Sequence, residues 1–66
     1  MRYVYQIHED SEIYSSRLKA HKRLCNIWRK DMDEFLPIKE RIHPRCKGWV
    51  EIIYSNGATI TKRPLL

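Results

Sequence analysis

The chain has little glycine and no long apolar run. Gly48 and Gly57 are its two glycines, so it has no glycine-rich loop of the kind that surrounds phosphate groups. No stretch approaches the roughly 18 apolar residues that a membrane-spanning helix needs. The first residues also lack the apolar core of a secretory signal. We therefore expect no membrane association, and we expect the protein to stay in the cytoplasm.

The chain is also short. Its 66 residues predict one domain over residues 1–66, and a domain of this size buries only about 60% of its unfolded surface. We therefore expect added stabilisation from a disulfide, a metal ion, a homodimer or a bound target. A substrate pocket of enzyme size is not expected, which favours a non-enzymatic protein.

Acidic residues are absent between Arg17 and Lys30. This segment has helical periodicity, and two opposed rows of side chains follow from it. The row predicted to face the core contains Leu18, His21, Cys25, Trp28 and Met32. The row predicted to face outward contains Lys19, Lys22, Arg23, Asn26 and Lys30. Together with the net charge of +5, the outward row favours an acidic binding partner.

The first half of the chain predicts one strand followed by this helix. The segment from Arg2 to His8 alternates as a strand does. Glu12 to Tyr14 either opens the helix, with Asp10 or Ser11 as its cap, or forms a short second strand before a cap at Ser15 or Ser16. We favour the second interpretation. The helix should end at about Asp31 or Phe35, with a break near Asp31, because acidic residues are unfavourable at a helix C-terminus.

The second half predicts a basic connector from Ile38 to Lys47 and a hairpin from Trp49 to Lys62. Asn56-Gly57 indicates a type I′ turn, and Pro64 should end the strand pairing. The expected fold is α+β, with a small antiparallel sheet, formed by the N-terminal strand and the C-terminal hairpin, packed on one long helix. The predicted core consists of Ile7, Leu18, Leu24, Trp28, Phe35, Ile52 and Ile60.

Two pairs of residues have the spacing of metal ligands. His21 and Cys25 are one helical turn apart, and the run from His43 to Gly48 resembles the knuckle of zinc ribbons, with His43 and Cys46 as ligands. Two histidines and two cysteines would complete a structural zinc site. The sequence favours a metal-free alternative, in which His21 and Cys25 pack in the core and Pro44 shapes a loop. A Cys25–Cys46 disulfide is a third interpretation.

The basic helix face and the basic connector predict a partner-binding surface. Its candidate residues are Lys19, Lys22, Arg23, Asn26, Arg29, Lys30, Arg41, Arg45, Lys47 and Trp49. Trp49 either anchors the loop or stacks on a partner. The alternative for the charged residues is an ordinary solvated helix face.

The order of opening strand, polar turn, serine-capped helix (Ser15 to Ala20) and closing hairpin resembles small phage-encoded accessory proteins. That resemblance implies a regulator or inhibitor of a host or phage machine that acts by binding. We therefore expect first a protein-binding modulator. The second hypothesis is a nucleic-acid-binding protein that contacts phosphates through the same lysines, with or without a structural zinc.

Overall fold

A five-stranded antiparallel sheet carries one helix on one of its faces in the computed structural model, which describes residues 2–10 and 12–65. The elements are β1 (Arg2–Ile7), β2 (Ile13–Tyr14), α1 (Arg17–Trp28), β3 (Pro37–Ile42), β4 (Val50–Tyr54) and β5 (Thr59–Leu65). The strand order is β2-β1-β5-β4-β3. This confirms the predicted α+β fold, in which the N-terminal strand and the C-terminal hairpin share a sheet that packs on a helix.

The chain between β1 and α1 follows the favoured interpretation. Ile13 and Tyr14 form a short strand beside β1, and the Ser16 side chain accepts a hydrogen bond from the Lys19 backbone N–H at 3.2 Å. This side chain satisfies one of the free N–H groups at the start of the helix.

The helix ends earlier than the sequence predicts. Its last residue is Trp28, and Arg29 follows in the left-handed backbone conformation with φ of 53°. The expected break thus lies just before Asp31, whose carbonyl accepts the N–H groups of Glu34 and Phe35 in a separate turn. The prediction of a helix reaching Asp31 or Phe35 is wrong, because Arg29 already reverses the backbone.

The predicted connector is wrong over its first half, where Pro37–Ile42 forms β3 and pairs with β4. The sequence does not indicate this strand, because three consecutive charged residues, Lys39, Glu40 and Arg41, break any apolar alternation. An edge strand has one neighbour, so both of its faces can carry charged side chains without an apolar alternation.

The hairpin is confirmed, but two of its details differ. The Tyr54 carbonyl accepts the Gly57 N–H at 3.0 Å. Ser55 and Asn56 are therefore the central turn residues, and neither has the positive φ that a type I′ turn requires. Pro64 does not end the pairing, because β5 continues to Leu65 opposite β1. Beyond Lys62, β5 no longer pairs with β4, so the missing N–H of Pro64 interrupts no bond on that side.

The core between α1 and the sheet contains five of the seven predicted members. Its buried residues are Ile7, Ala20, Leu24, Cys25, Phe35, Ile52, Tyr54, Ala58 and Ile60. Leu18 and Trp28 were expected there, but they are 67% and 40% exposed. The buried residues of α1 are Ala20, Leu24 and Cys25, so the helix buries a face on which Leu18 and Trp28 do not lie.

Candidate binding surfaces

The outward side chains of α1 and its C-terminal end form one cationic surface, here called the helix surface. It contains the predicted residues Lys19, Lys22, Arg23, Asn26, Arg29 and Lys30, all of which are exposed. Arg23 is partly neutralised, because its Nε donates to Asp10 Oδ2 at 3.1 Å. The Lys19 ammonium lies 3.5 Å from the Ser15 hydroxyl oxygen.

Asp10 joins three parts of the chain beside the helix surface. Its carboxylate accepts hydrogen bonds from the Glu12 backbone N–H, the Tyr14 hydroxyl and the Arg23 guanidinium. Desolvation pushes the pKa of Asp10 upward, but these hydrogen bonds and the positive charge of Arg23 outweigh it, so the pKa lies below its ordinary value. The ion pair therefore holds the β1–β2 turn to α1.

Arg41, from the predicted basic connector, does not lie beside the helix surface. The Arg41 guanidinium donates to Glu51 at 2.8 Å, and Glu51 neighbours Ile52, which is fully buried beneath the helix. Because side chains alternate along a strand, Arg41 and Glu51 project from the face of the sheet that points away from α1. The predicted binding surface is thus divided between two opposite sides of the molecule.

The face of the sheet directed away from α1 is here called the open sheet face. Lys39 and Arg63 belong to it, because Lys39 lies opposite Ile53 and Arg63 lies opposite Val4. Trp49 and Lys47 extend it at one margin. A groove of about 480 Å³ on this side is lined by Val4, Ile13, Lys47, Trp49, Arg63, Pro64 and Leu65. Sequence reasoning missed Lys39 and Arg63, which have no distinctive local signal.

Trp49 is positioned by an ordered loop. Its backbone N–H donates to the Cys46 carbonyl at 3.1 Å, and its carbonyl accepts the His43 N–H at 2.9 Å. The His43 Nδ1 accepts the backbone N–H groups of Arg45 and Cys46. The His43 ring meets the indole edge-on, with 5.7 Å between ring centres. The Arg63 guanidinium lies 5.5 Å from the centre of the indole ring, within the range of a cation–π contact.

The four candidate zinc ligands are not brought together. Within residues 2–10 and 12–65, no three side chains of His, Cys, Asp or Glu are grouped so that they could hold a metal ion. His43 is engaged in its own loop, whereas both ring nitrogens of His21 lie against other oxygens, 2.7 Å from the Tyr54 hydroxyl and 3.1 Å from the Met32 carbonyl. The zinc site stays a prediction without a geometric counterpart. Both cysteines are free thiols, so the disulfide interpretation is wrong.

The pairing of Cys25 with His21 does not resemble an activated nucleophile. The Cys25 sulfur lies 3.6 Å from His21 Nε2, but the residue is only 2% exposed. Burial raises the pKa of Cys25, and the negative charge of Asp31 adds to the effect. Reactive cysteines instead have a lowered pKa and some exposure.

A second groove lies between the start of α1 and β3, and we name it the α1–β3 groove. Its volume is about 450 Å³, and its lining consists of Arg17, Leu18, His21, Leu36, Pro37 and Tyr54. Leu18 and Leu36, which are 67% and 56% exposed, form its apolar rim. Arg17 donates to Glu40 of β3 at 3.2 Å. Sequence reasoning missed this site because it assigned Leu18 to the core.

The apolar surface continues along β3. Ile38 and Ile42 are 63% and 78% exposed, and β3 is the last strand of the sheet order. Phe35 to Ile38 are all apolar, and no local signal in the sequence separates the buried Phe35 from the exposed Leu36 and Ile38.

Over the described residues, no helix is long and apolar enough to cross a membrane. Comparisons with protein-family models, with curated proteins and with solved structures find no match to this chain.

Proposed function

We propose that this protein is a non-enzymatic binding protein that docks on another protein through the α1–β3 groove and strand β3. Binding would modulate the target protein, most simply by inhibiting it. The resemblance to phage-encoded accessory proteins suggests that this target is a host or phage machine. The observation that carries this proposal is the exposure of Leu18, Leu36, Ile38 and Ile42 on and beside β3, the edge strand of the described sheet.

These exposed side chains suit a protein partner. Apolar groups gathered at one site favour association, because contact removes them from water at roughly 25 cal/mol per Å². An edge strand also offers backbone N–H and C=O groups to a partner strand. Because side chains alternate along β3, Glu40 and Ile42 share one face, whereas Lys39 and Arg41 lie on the other. Glu40 is already paired with Arg17, so a partner strand with apolar side chains would suit the exposed isoleucines.

The internal chemistry of the protein supports binding rather than catalysis. The Cys25 thiol is buried with a raised pKa, and burial raises the pKa of Tyr54 to about 12. Both groups stay protonated at neutral pH, and neither is available as a nucleophile or base there.

A capture experiment tests the proposal. The immobilised protein is exposed to nuclease-treated cytosol, and retained proteins are compared between the wild type and an Ile38→Thr/Ile42→Thr variant. The control is Ile13→Thr, because Ile13 is 51% exposed on β2 at the opposite edge of the sheet. We expect a specific protein to be retained by the wild type and the control, and lost from the β3 variant.

Site-directed cross-linking identifies the contact directly. A photoreactive amino acid at Leu36 should form a covalent adduct with the retained protein, whereas the same group at Lys22 on the helix surface should not. Retention that survives the β3 changes, or adducts formed only from position 22, would contradict the proposal.

A further inference from the structure

We infer that the open sheet face is a binding site for single-stranded nucleic acid, in which Trp49 stacks on a base and Lys39, Lys47 and Arg63 contact phosphates. This goes beyond the proposed protein docking, because it concerns another side of the molecule and another class of ligand. It also differs from phosphate contact through the helix surface, which the sequence alone suggested.

The first supporting observation is the aromatic platform at the margin of the face. Trp49 is half-buried, its loop is closed by backbone hydrogen bonds at both ends, and Arg63 lies over its ring. An indole held in place loses little conformational freedom when a base stacks on it. Base–aromatic stacking contributes about 1–3 kcal/mol per base, and an arginine beside the ring can add a phosphate contact.

The second observation is the charge of the face. Its cations include Lys39, Arg41, Lys47 and Arg63, and its acidic residue Glu51 is paired with Arg41. None of the ion pairs found among the described residues includes Lys39, Lys47 or Arg63. These three cations can therefore contact an anionic partner. A flexible polyanion that crosses β3, β4 and β5 could reach all of them.

The shape of the site selects a single strand over a duplex. The groove beside Trp49 has apolar walls, including Val4, Ile13 and Leu65, that can receive the face of an unpaired base. A duplex conceals its base faces in the stack and offers only phosphates and groove edges. The six residues of the helix surface are charged or amide side chains, and the nearby Trp28, which is 40% exposed at the end of α1, lies outside the open sheet face.

Fluorescence titration tests the stacking. Trp28→Phe leaves Trp49 as the one tryptophan, because the chain has two. We expect a thymidine oligonucleotide of about 12 residues to quench this emission with micromolar affinity, and the duplex of the same length to bind at least tenfold more weakly. Equal or tighter binding of the duplex, or no quenching at low salt, would overturn the inference.

Charge variants locate the contact. The triple variant Lys39→Gln/Lys47→Gln/Arg63→Gln should weaken binding at least tenfold and make the salt dependence shallower. The matched control Lys22→Gln/Arg29→Gln/Lys30→Gln removes the same charge from the helix surface and should weaken binding less than threefold. An equal loss in both variants would mean diffuse electrostatic attraction and would overturn the inference.

Two further arms complete the test. Trp49→Phe should retain most of the affinity, whereas Trp49→Ala should lose about tenfold, and circular dichroism of both variants checks that they fold.

Polyglutamate should not compete with the oligonucleotide at equal charge concentration. Equal competition would identify an acidic protein as the better ligand and overturn the inference.

Discussion

Tyr54 connects the core to the α1–β3 groove through one hydroxyl group. Its ring is stacked on Phe35 with 4.7 Å between ring centres, its hydroxyl lies 2.7 Å from His21 Nδ1, and the residue is 2% exposed. Burial raises its pKa to about 12, with a further contribution from the nearby Cys25. The phenolate form is therefore strongly disfavoured in the folded protein.

The pH dependence of stability follows from this shift. Unfolded Tyr54 loses its proton near its ordinary pKa of 10, whereas folded Tyr54 keeps it until about pH 12. Its contribution is complete below pH 10 and is lost as the pH rises to 12, because only the unfolded state is then ionised. We expect the free energy of unfolding, measured by urea denaturation, to fall between pH 10 and pH 12. The fall with pH should be smaller in the Tyr54→Phe variant. Equal slopes in both proteins would contradict the prediction.

The buried face of α1 shows why single side chains were misassigned. Leu18 and Leu24 are chemically identical and lie in the same helix, yet one is 67% exposed and the other is fully buried. Apolar side chains lie around much of this short helix, so the sequence is compatible with burial of either of two neighbouring helix faces. The structure buries Ala20, Leu24 and Cys25, and no local pattern in the sequence indicates which face is chosen.

The end of α1 stores backbone strain in one residue. Arg29 is the one residue other than glycine with positive φ in the described part of the chain. Its N–H donates to the Asn26 carbonyl and closes the last turn of the helix. A side chain with a Cβ atom is disfavoured in this conformation, where glycine is commonly found after helices.

Replacing Arg29 tests this strain. Arg29→Gly should raise the free energy of unfolding by about 0.5–1 kcal/mol, because glycine adopts the left-handed conformation without a Cβ penalty. The measurement is urea denaturation, with Lys30→Gly as a control that should give no gain. A destabilised Arg29→Gly would show that the arginine side chain contributes more than its backbone costs.

Strand β3 illustrates how an element escapes sequence reasoning. β4 lies between β3 and β5 in the sheet, and its segment Val50 to Tyr54 is predicted as a strand because it precedes the Asn56-Gly57 turn signal. Among the residues that the structure describes, β3 pairs with β4 alone, so Lys39 and Arg41 can remain in water. Its position at the edge of the described sheet explains why the sequence pattern does not indicate a strand here. The same position provides the proposed docking edge.

At the scale of the whole molecule, the two pairs of candidate zinc ligands lie in different parts of the fold. His21 lies on α1 with both ring nitrogens near oxygen atoms, while His43 and Cys46 lie in the loop before β4, where His43 Nδ1 accepts backbone N–H groups. At His43 Nδ1, zinc ligation would compete with these backbone hydrogen bonds for the same lone pair. The ligand-like spacing in the loop thus has a structural explanation as a closed turn.

Metal removal tests this explanation. Incubation with a strong chelator should leave the thermal unfolding midpoint unchanged, because the loop and the core are closed by hydrogen bonds and packing. Native mass spectrometry should give the mass of the polypeptide alone. A mass increase equal to one zinc ion, together with a lower midpoint in chelator, would contradict the prediction and show that the two pairs meet in solution.

The sequence by itself determined the α+β class and the closing hairpin, and it favoured the short β2 with a cap at Ser15 or Ser16, because capping, strand alternation and turn residues act over a few neighbouring positions. Only the tertiary structure decided that Leu18 faces outward, that Ile38 and Ile42 lie on an open edge, and that the predicted cations occupy opposite sides of the sheet. Those outcomes depend on which strands become neighbours and how closely α1 approaches them. They are set by contacts between residues distant in the chain.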